Sequence, residues 1–118
     1  MTTSAPADTD LSVLSRLHEA LGLDWADIAA TVGVDQSTLY RWRHREATPR
    51  PMALSRLAQL SDLLQLLRRL FAGADLARDW LGAAKPEMLG GTKTPLEVMR
   101  EGRLDRVLTL LHFLARGA

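Results

Sequence analysis

Residues 24–43 read Asp-Trp-Ala-Asp-Ile-Ala-Ala-Thr-Val-Gly-Val-Asp-Gln-Ser-Thr-Leu-Tyr-Arg-Trp-Arg, and this stretch predicts two short helices joined by a tight turn. Asp24 and Asp35 stand where each helix would begin, and aspartate is a favoured N-cap because its side chain accepts a bond from a free backbone N–H. Gly33 would end the first helix, since glycine adopts the left-handed conformation at little cost.

The small and apolar residues of this stretch meet the packing requirements of a helix-turn-helix motif. Ala29 is small where the two helices would cross, and Val34 follows the turn and would fill the angle between them. Leu39 and Trp42 are three residues apart and so share the inward face of the second helix. Because these matches occur together and a basic run follows them, they predict a DNA-binding motif.

Basic charge is concentrated on this part of the chain. The formal net charge of the protein is only +1, but residues 36–60 carry +4, whereas residues 1–35 carry −5 and residues 61–118 carry +2. Thirteen of the fifteen basic residues are arginine, which binds phosphate and guanine in a bidentate manner. The local charge favours a nucleic-acid partner and argues against an adaptor that binds only protein.

Residues 11–60 resemble the phage-repressor-like helix-turn-helix family called Xre. The resemblance implies that the second helix enters the major groove, where Gln36 would read adenine and Arg41 guanine, each at about 1–3 kcal/mol of discrimination. The candidate DNA-binding residues are Gln36, Ser37, Thr38, Tyr40, Arg41, Arg43, Arg45 and Arg50. The last three are expected to contact phosphate, although residues 43–50 could also be a solvated face.

Other aromatic residues of the motif have more than one interpretation. Trp25 and Trp42 are expected in the core rather than stacked on bases, and Tyr40 could donate to a backbone phosphate instead of contacting a base.

Helical periodicity continues along the whole chain, which predicts an all-α fold. Leu11 to Leu21 predict a first helix that ends at Gly22, and the two prolines within residues 46–51 predict a linker. A long helix over about 52–71 is apolar nearly all round, so we expect it to pack on its own domain and on a second copy of the chain. Further helices are expected at 74–81, from a Thr94–Glu97 capping box to Gly102, and at about 103–116, with an irregular segment at 82–93.

The predicted organisation has four parts: a flexible tail at 1–10, a DNA-binding region at 11–50, a connecting and dimerisation helix at 51–73, and a C-terminal domain at 74–118. The bundle at the N-terminus is expected to be Xre-like, and the C-terminal domain small and helical.

Composition excludes several classes of function. The 118 residues are 47% hydrophobic, which suffices for a core, and they contain no cysteine for disulfides or thiolate metal sites. No stretch is long and apolar enough for a membrane span or a signal peptide, so a cytoplasmic protein is expected. His18, His44 and His112 lack metal-ligand spacing, and no catalytic set stands out. We therefore expect no metal, no cofactor and no enzymatic activity.

The second half resembles the toxin-binding C-terminal domain of the Xre/MbcA/ParS antitoxins over residues 74–117. The resemblance rests on segments in a fixed order: Asp79-Trp-Leu81, Pro86, Leu89-Gly-Gly91, Thr94-Pro-Leu-Glu97, Gly102-Arg103 and Val107-Leu108. The sequence departs from the family at two places. In the first half it has His44-Arg-Glu46 where relatives often have a glycine after the tryptophan that corresponds to Trp42, and in the second half Lys85 replaces an uncharged polar residue.

This resemblance implies an antitoxin of a type II toxin–antitoxin system. Its partner would be a RES-domain toxin that degrades NAD⁺, and the antitoxin would block that active site directly. It would also bind operator DNA and repress its own operon, as a homodimer and within a larger toxin–antitoxin assembly. The resemblance gives no role at a membrane.

The last predicted helix offers a candidate toxin surface. Leu104, Val107, Leu108, Leu111 and Leu114 share its core face, whereas Phe113 falls on the polar side. An aromatic ring there indicates a partner, or else packing on the Gly90-Gly91 turn. The candidate toxin-binding residues are Arg103, Arg106, Leu110, Phe113, Arg116, Gly90 and Gly91. Trp80 is expected in the core.

A second interpretation remains open at this point. The chain could be a free-standing dimeric helix-turn-helix repressor in which residues 74–118 serve only oligomerisation.

Overall fold

The structure, a computed structural model, describes residues 4–84 and 91–117, and in that part of the chain α-helices are joined by turns and loops, with no β-strand. Its helices are α1 (Ser4–Leu21), α2 (Trp25–Val32), α3 (Gln36–Arg43), α4 (Pro51–Leu70), α5 (Ala74–Leu81), α6 (Pro95–Arg100) and α7 (Leu104–Gly117). The predicted all-α fold, with an N-terminal helix-turn-helix, is confirmed. No helix of the described part is long and apolar enough to cross a membrane.

Helix α4 is the element on which the others pack. Its buried residues are Ala53, Leu57, Leu60, Leu63, Leu64, Leu66 and Leu67. Helix α1 covers one part of α4 and α7 another, with smaller contributions from α2 and α5. The buried side chains of α4 are therefore covered by the chain's own α1 and α7 rather than by a second copy. The expected homodimer, with α4 as its candidate interface, stays a prediction.

The C-terminal region also packs directly against the helix-turn-helix. Helix α6 lies on α2, where Arg100 Nε forms an ion pair with Asp27 Oδ1 at 2.8 Å. From α4, Arg56 Nη1 donates to the Thr31 carbonyl of α2 at 3.3 Å. The buried apolar residues of all seven helices belong to one cluster. Among the described residues one core thus extends through all the predicted regions, and the assignment of separate functions to residues 11–50, 51–73 and 74–118 stays a prediction.

The short helix α6 begins with the capping box that the sequence predicts. Thr94 Oγ1 accepts from the Glu97 N–H at 3.1 Å, and Glu97 Oε1 accepts from the Thr94 N–H at 2.8 Å. Pro95 occupies the first turn, where its missing N–H is not needed. These local bonds fix the start of a six-residue helix that could not persist alone.

Helix boundaries differ from the predicted ones mainly at the N-terminus. Helix α1 begins at Ser4, inside the predicted tail, because alanine is a strong helix former and proline is tolerated in a first turn. The long helix runs from Pro51 to Leu70, and α5 has its predicted bounds. Of the predicted irregular segment, residues 85–90 lie outside the described part of the chain.

The short helix α5 is joined to α4 by an aromatic contact. Trp80 is half-buried, and its ring lies 5.9 Å from that of Phe71, centroid to centroid. On the exposed side, Arg78 pairs with Asp75 as expected for a solvated face.

We predict that Leu63→Ala destabilises the whole chain by about 2–5 kcal/mol, because it removes a fully buried leucine from the middle of α4. Chemical denaturation followed by circular dichroism and by tryptophan fluorescence should give one shared transition, since Trp42 and Trp80 report on the two ends of a common core. The control is Gln65→Ala at an exposed position of the same helix. Two separate transitions would contradict the shared core.

Candidate nucleic-acid and partner surfaces

The turn between α2 and α3 forms as the sequence predicts. Gly33 has φ +90° in the left-handed region, and its N–H donates to the Ala29 carbonyl at 2.8 Å. The Val34 N–H donates to the same carbonyl at 3.0 Å, and its side chain is half-buried against the core. Because a side chain at Gly33 would be strained at this φ, the turn depends on glycine.

The two predicted N-caps of this motif differ. Asp35 Oδ1 accepts from the Thr38 N–H at 2.8 Å, which confirms the cap of α3. Hydrogen bonds from the Thr38 side chain and backbone N–H lower the pKa of Asp35 below its ordinary value, so the cap is charged at neutral pH. Asp24 occupies the N-cap position of α2, but its side chain makes no capping bond, and that part of the prediction is wrong.

Helix α3 is held by its inward face and leaves its outward face exposed. Leu39 and Trp42 are 1% and 3% exposed, and Ala29 is buried where the helices cross. The burial of Leu39 and Trp42 confirms the predicted inward face of α3, and that of Ala29 confirms the predicted crossing point. The outward side chains of Gln36, Ser37, Tyr40 and Arg41 are exposed, and Thr38 is half-buried.

Several outward side chains are already oriented by neighbours on the same helix. Arg41 Nη2 donates to Thr38 Oγ1 at 3.1 Å, which aligns its guanidinium along α3. The Tyr40 ring stacks on His44 with centroids 3.9 Å apart, and His44 Nδ1 bonds the Tyr40 carbonyl at 2.9 Å. Prior ordering reduces the conformational entropy that these groups would lose on binding.

Helix α3 forms a ridge between two concavities. One, of about 600 Å³, is lined by Trp25, Gln36, Ser37, Leu39, Tyr40, Arg41, Arg43 and Glu46. The other, of about 520 Å³, is lined by Val32, Gly33, Val34, Thr38, Arg41, Trp42, Ala47, Thr48, Arg50, Met52 and Ala53. Seven of the eight candidate DNA-binding residues line one or both, with Arg41 on each side, and Arg45 lies just beyond the helix. A convex helix with basic flanks has the shape that enters a major groove.

Trp25 has a position that sequence reasoning missed. It is half-buried rather than part of the core, and Arg43 Cζ lies 3.8 Å from the centroid of its ring. His18 also stacks on Trp25, with centroids 4.1 Å apart. No local periodicity could have shown this cluster, because its members come from three different helices.

Arg45 ends α3 in a conformation that normally requires glycine. Its φ is +59°, its N–H donates to the Trp42 carbonyl at 3.1 Å, and the Glu46 N–H donates to the Arg41 carbonyl at 2.7 Å. These two bonds form a Schellman motif, whose left-handed position favours glycine. The arginine side chain is exposed and lies at the end of the ridge.

The candidate partner surface on α7 is only partly as predicted. Phe113 is 59% exposed, as expected for a contact residue. Arg103, Arg116 and Gly91 are exposed, and Arg106 is half-buried. Leu110 is only 8% exposed, because α7 packs that side into the core, so it does not lie on this surface. Gly90 lies outside the described residues.

Comparisons with known proteins agree with this architecture. Residues 12–49 match a family model described as a homeodomain-like domain. The chain is 26% identical over 106 residues to the mycobacterial cidal antitoxin MbcA of Mycobacterium bovis and of Mycobacterium tuberculosis, covering 90% of this chain and 91% of the relative. Its fold matches a chain of the crystal structure of the M. tuberculosis MbcT-MbcA toxin–antitoxin complex, with a TM-score of 0.65, 24% identity, and coverage of 92% of this chain and 95% of that chain.

We predict that Arg45→Gly raises the free energy of unfolding by about 1 kcal/mol, because glycine relieves the left-handed conformation. The same change is expected to weaken DNA binding, since it removes a cation beside the ridge. Urea denaturation and fluorescence anisotropy with a labelled duplex measure the two effects. Arg45→Ala separates them, as it removes the charge without relieving the backbone. A less stable Arg45→Gly protein would contradict the strained turn.

Proposed function

We propose that this protein is an antitoxin that binds a protein toxin and also binds the operator DNA of its own operon. The observation that carries the proposal is that the likeness to the antitoxin MbcA extends over 90% of the chain, through both the helix-turn-helix and the C-terminal helices. We further propose, from the C-terminal motif, that the toxin is a RES-domain enzyme that degrades NAD⁺. The toxin is inhibited by direct contact.

The DNA-binding part of the proposal rests on α3. Its outward face carries amide, hydroxyl and guanidinium groups, which can bond to base edges, whereas the flanking arginines are suited to phosphates. Gln36 and Arg41 are the proposed base-reading residues. Since one recognition helix covers only a half-site, the operator-bound form is a homodimer, and its interface lies away from the buried face of α4.

The toxin-binding part of the proposal rests on the exposed side of α7. Phe113 is a large apolar side chain on the surface, and burial of such a ring in a partner contributes strongly to affinity. Arg106 and Arg116 lie on the same helix, where they are suited to acidic groups of the toxin. Arg103 precedes the helix with its Nε 3.9 Å from Asp105 Oδ1.

We predict that Arg41→Ala weakens operator binding by about 1–3 kcal/mol while toxin neutralisation persists, because the side chain lies on α3 and not on α7. Anisotropy titrations at one fixed salt concentration measure the affinity. The matched control is Arg69→Ala, an exposed arginine in the last turn of α4. Operator affinity unchanged from wild type would refute the assignment of α3 as the recognition helix.

We predict that Phe113→Asp abolishes toxin neutralisation, because it places a charge where an apolar ring would contact the toxin. The protein should stay folded and still bind DNA, since the replaced side chain is exposed and lies on α7. Growth of cells that produce the toxin measures neutralisation. Leu76→Asp, the same kind of change at a position that is 53% exposed on α5, is the control. Full rescue by Phe113→Asp would show that the toxin binds elsewhere than at Phe113 on α7, whereas failure of the wild-type chain to rescue would favour the free-standing repressor.

A further inference from the structure

Arg43 differs from the other arginines beside the ridge because an aromatic cluster holds it. We define this cluster as His18, Trp25 and Arg43. The Arg43 guanidinium carbon lies 3.8 Å from the centroid of the Trp25 ring, within the range of a cation–π interaction. The ring of His18 stacks on Trp25 at 4.1 Å, with an interplanar angle of 22°.

The aromatic part of the cluster is itself anchored to the fold. His18 Nδ1 bonds the Leu23 carbonyl at 2.8 Å, just before α2 begins, and this bond fixes the imidazole between α1 and α2. Trp25 is half-buried at the first position of α2. Arg43 is the last residue of α3, so the cluster joins three helices of the DNA-binding region.

Stacking leaves the bonding edge of the guanidinium available. The five N–H donors of arginine point outward in the plane of the group, whereas the Trp25 contact is made at the central guanidinium carbon, which lies over the ring. Within the described residues, none of the ion pairs involves Arg43, and its side chain is exposed on the concavity that also holds Gln36 and Ser37. Its charge is therefore available to a ligand in this concavity along α3.

We propose that Trp25 is a positioning residue for DNA binding, which holds the Arg43 guanidinium in place for a backbone phosphate next to the groove that α3 enters. The inference rests on the proposed DNA-binding function and adds to it a residue that does not itself touch DNA. An unrestrained arginine would lose rotamer freedom when it binds phosphate, and the stack removes part of that loss beforehand.

A double-mutant cycle between Trp25 and Arg43 tests the proposal. The proteins are wild type, Trp25→Leu, Arg43→Ala and the double variant, and the probe is a fluorescent duplex of the DNA immediately upstream of the chain's own coding sequence. Arg43→Ala should make the slope of log affinity against log salt shallower by about 0.9, the value for one lost phosphate contact. Trp25→Leu should weaken binding roughly two- to fivefold. In the Arg43→Ala background, Trp25→Leu should have no further effect.

Controls separate positioning from a general loss of stability. Trp25→Phe keeps an aromatic face and should restore most of the affinity. Trp80→Leu removes another half-buried tryptophan, on α5, and should leave DNA affinity unchanged. Thermal melting shows whether each variant is folded at the assay temperature. If Trp25→Leu is not folded, Trp25→Met serves as a second replacement without an aromatic ring.

The outcomes distinguish this inference from the proposed function. If Trp25→Leu weakens binding equally in both backgrounds, Trp25 acts through the fold and the inference is overturned. The inference is also overturned if neither Trp25→Leu nor Arg43→Ala changes DNA affinity while Arg41→Ala does. In that case the proposal that α3 binds DNA still stands. If the wild-type protein binds no duplex, the DNA-binding proposal and this inference fail together.

Discussion

The burial of the α4 leucines between α1 and α7 is the constraint on which the rest of the structure depends. A helix with apolar side chains around most of its circumference must be covered on two sides, and here both covers come from one short chain. Because α7 is one of those covers, the C-terminal residues cannot form an independent unit tied by a linker. The α6–α2 contact closes the same core around the DNA-binding motif.

This shared core explains how short helices can present two defined surfaces. Helices of eight residues such as α2 and α3 are too short to persist in water by their own hydrogen bonds. Leu39 and Trp42 anchor α3 from beneath, and the Asp35 cap and the Arg45 turn fix its two ends. The outward residues need not contribute to folding, so their chemistry is free for recognition. The same logic applies to Phe113 on α7, whose neighbours in the core hold the helix in place.

The features that could be predicted from the sequence are those with local causes. The turn at Gly33, the inward pair Leu39 and Trp42, and the Thr94–Glu97 capping box each depend on residues a few positions apart, and each has its predicted place. Periodicity shows that a face is buried but not which element covers it. For this reason the sequence does not show that α7 covers α4 and buries Leu110, and it cannot reveal the Trp25–Arg43 contact between two helices.

The most direct test of the account is whether one assembly can hold both partners. The chain would be produced with the protein encoded by the adjacent reading frame, purified as a complex, and titrated with the upstream duplex. We expect that a protein toxic on its own co-purifies in fixed ratio and that the complex still binds DNA, because α3 packs on α2 whereas α7 packs on α4 and α6. Absence of a toxic partner, or mutually exclusive binding of toxin and duplex, would contradict it.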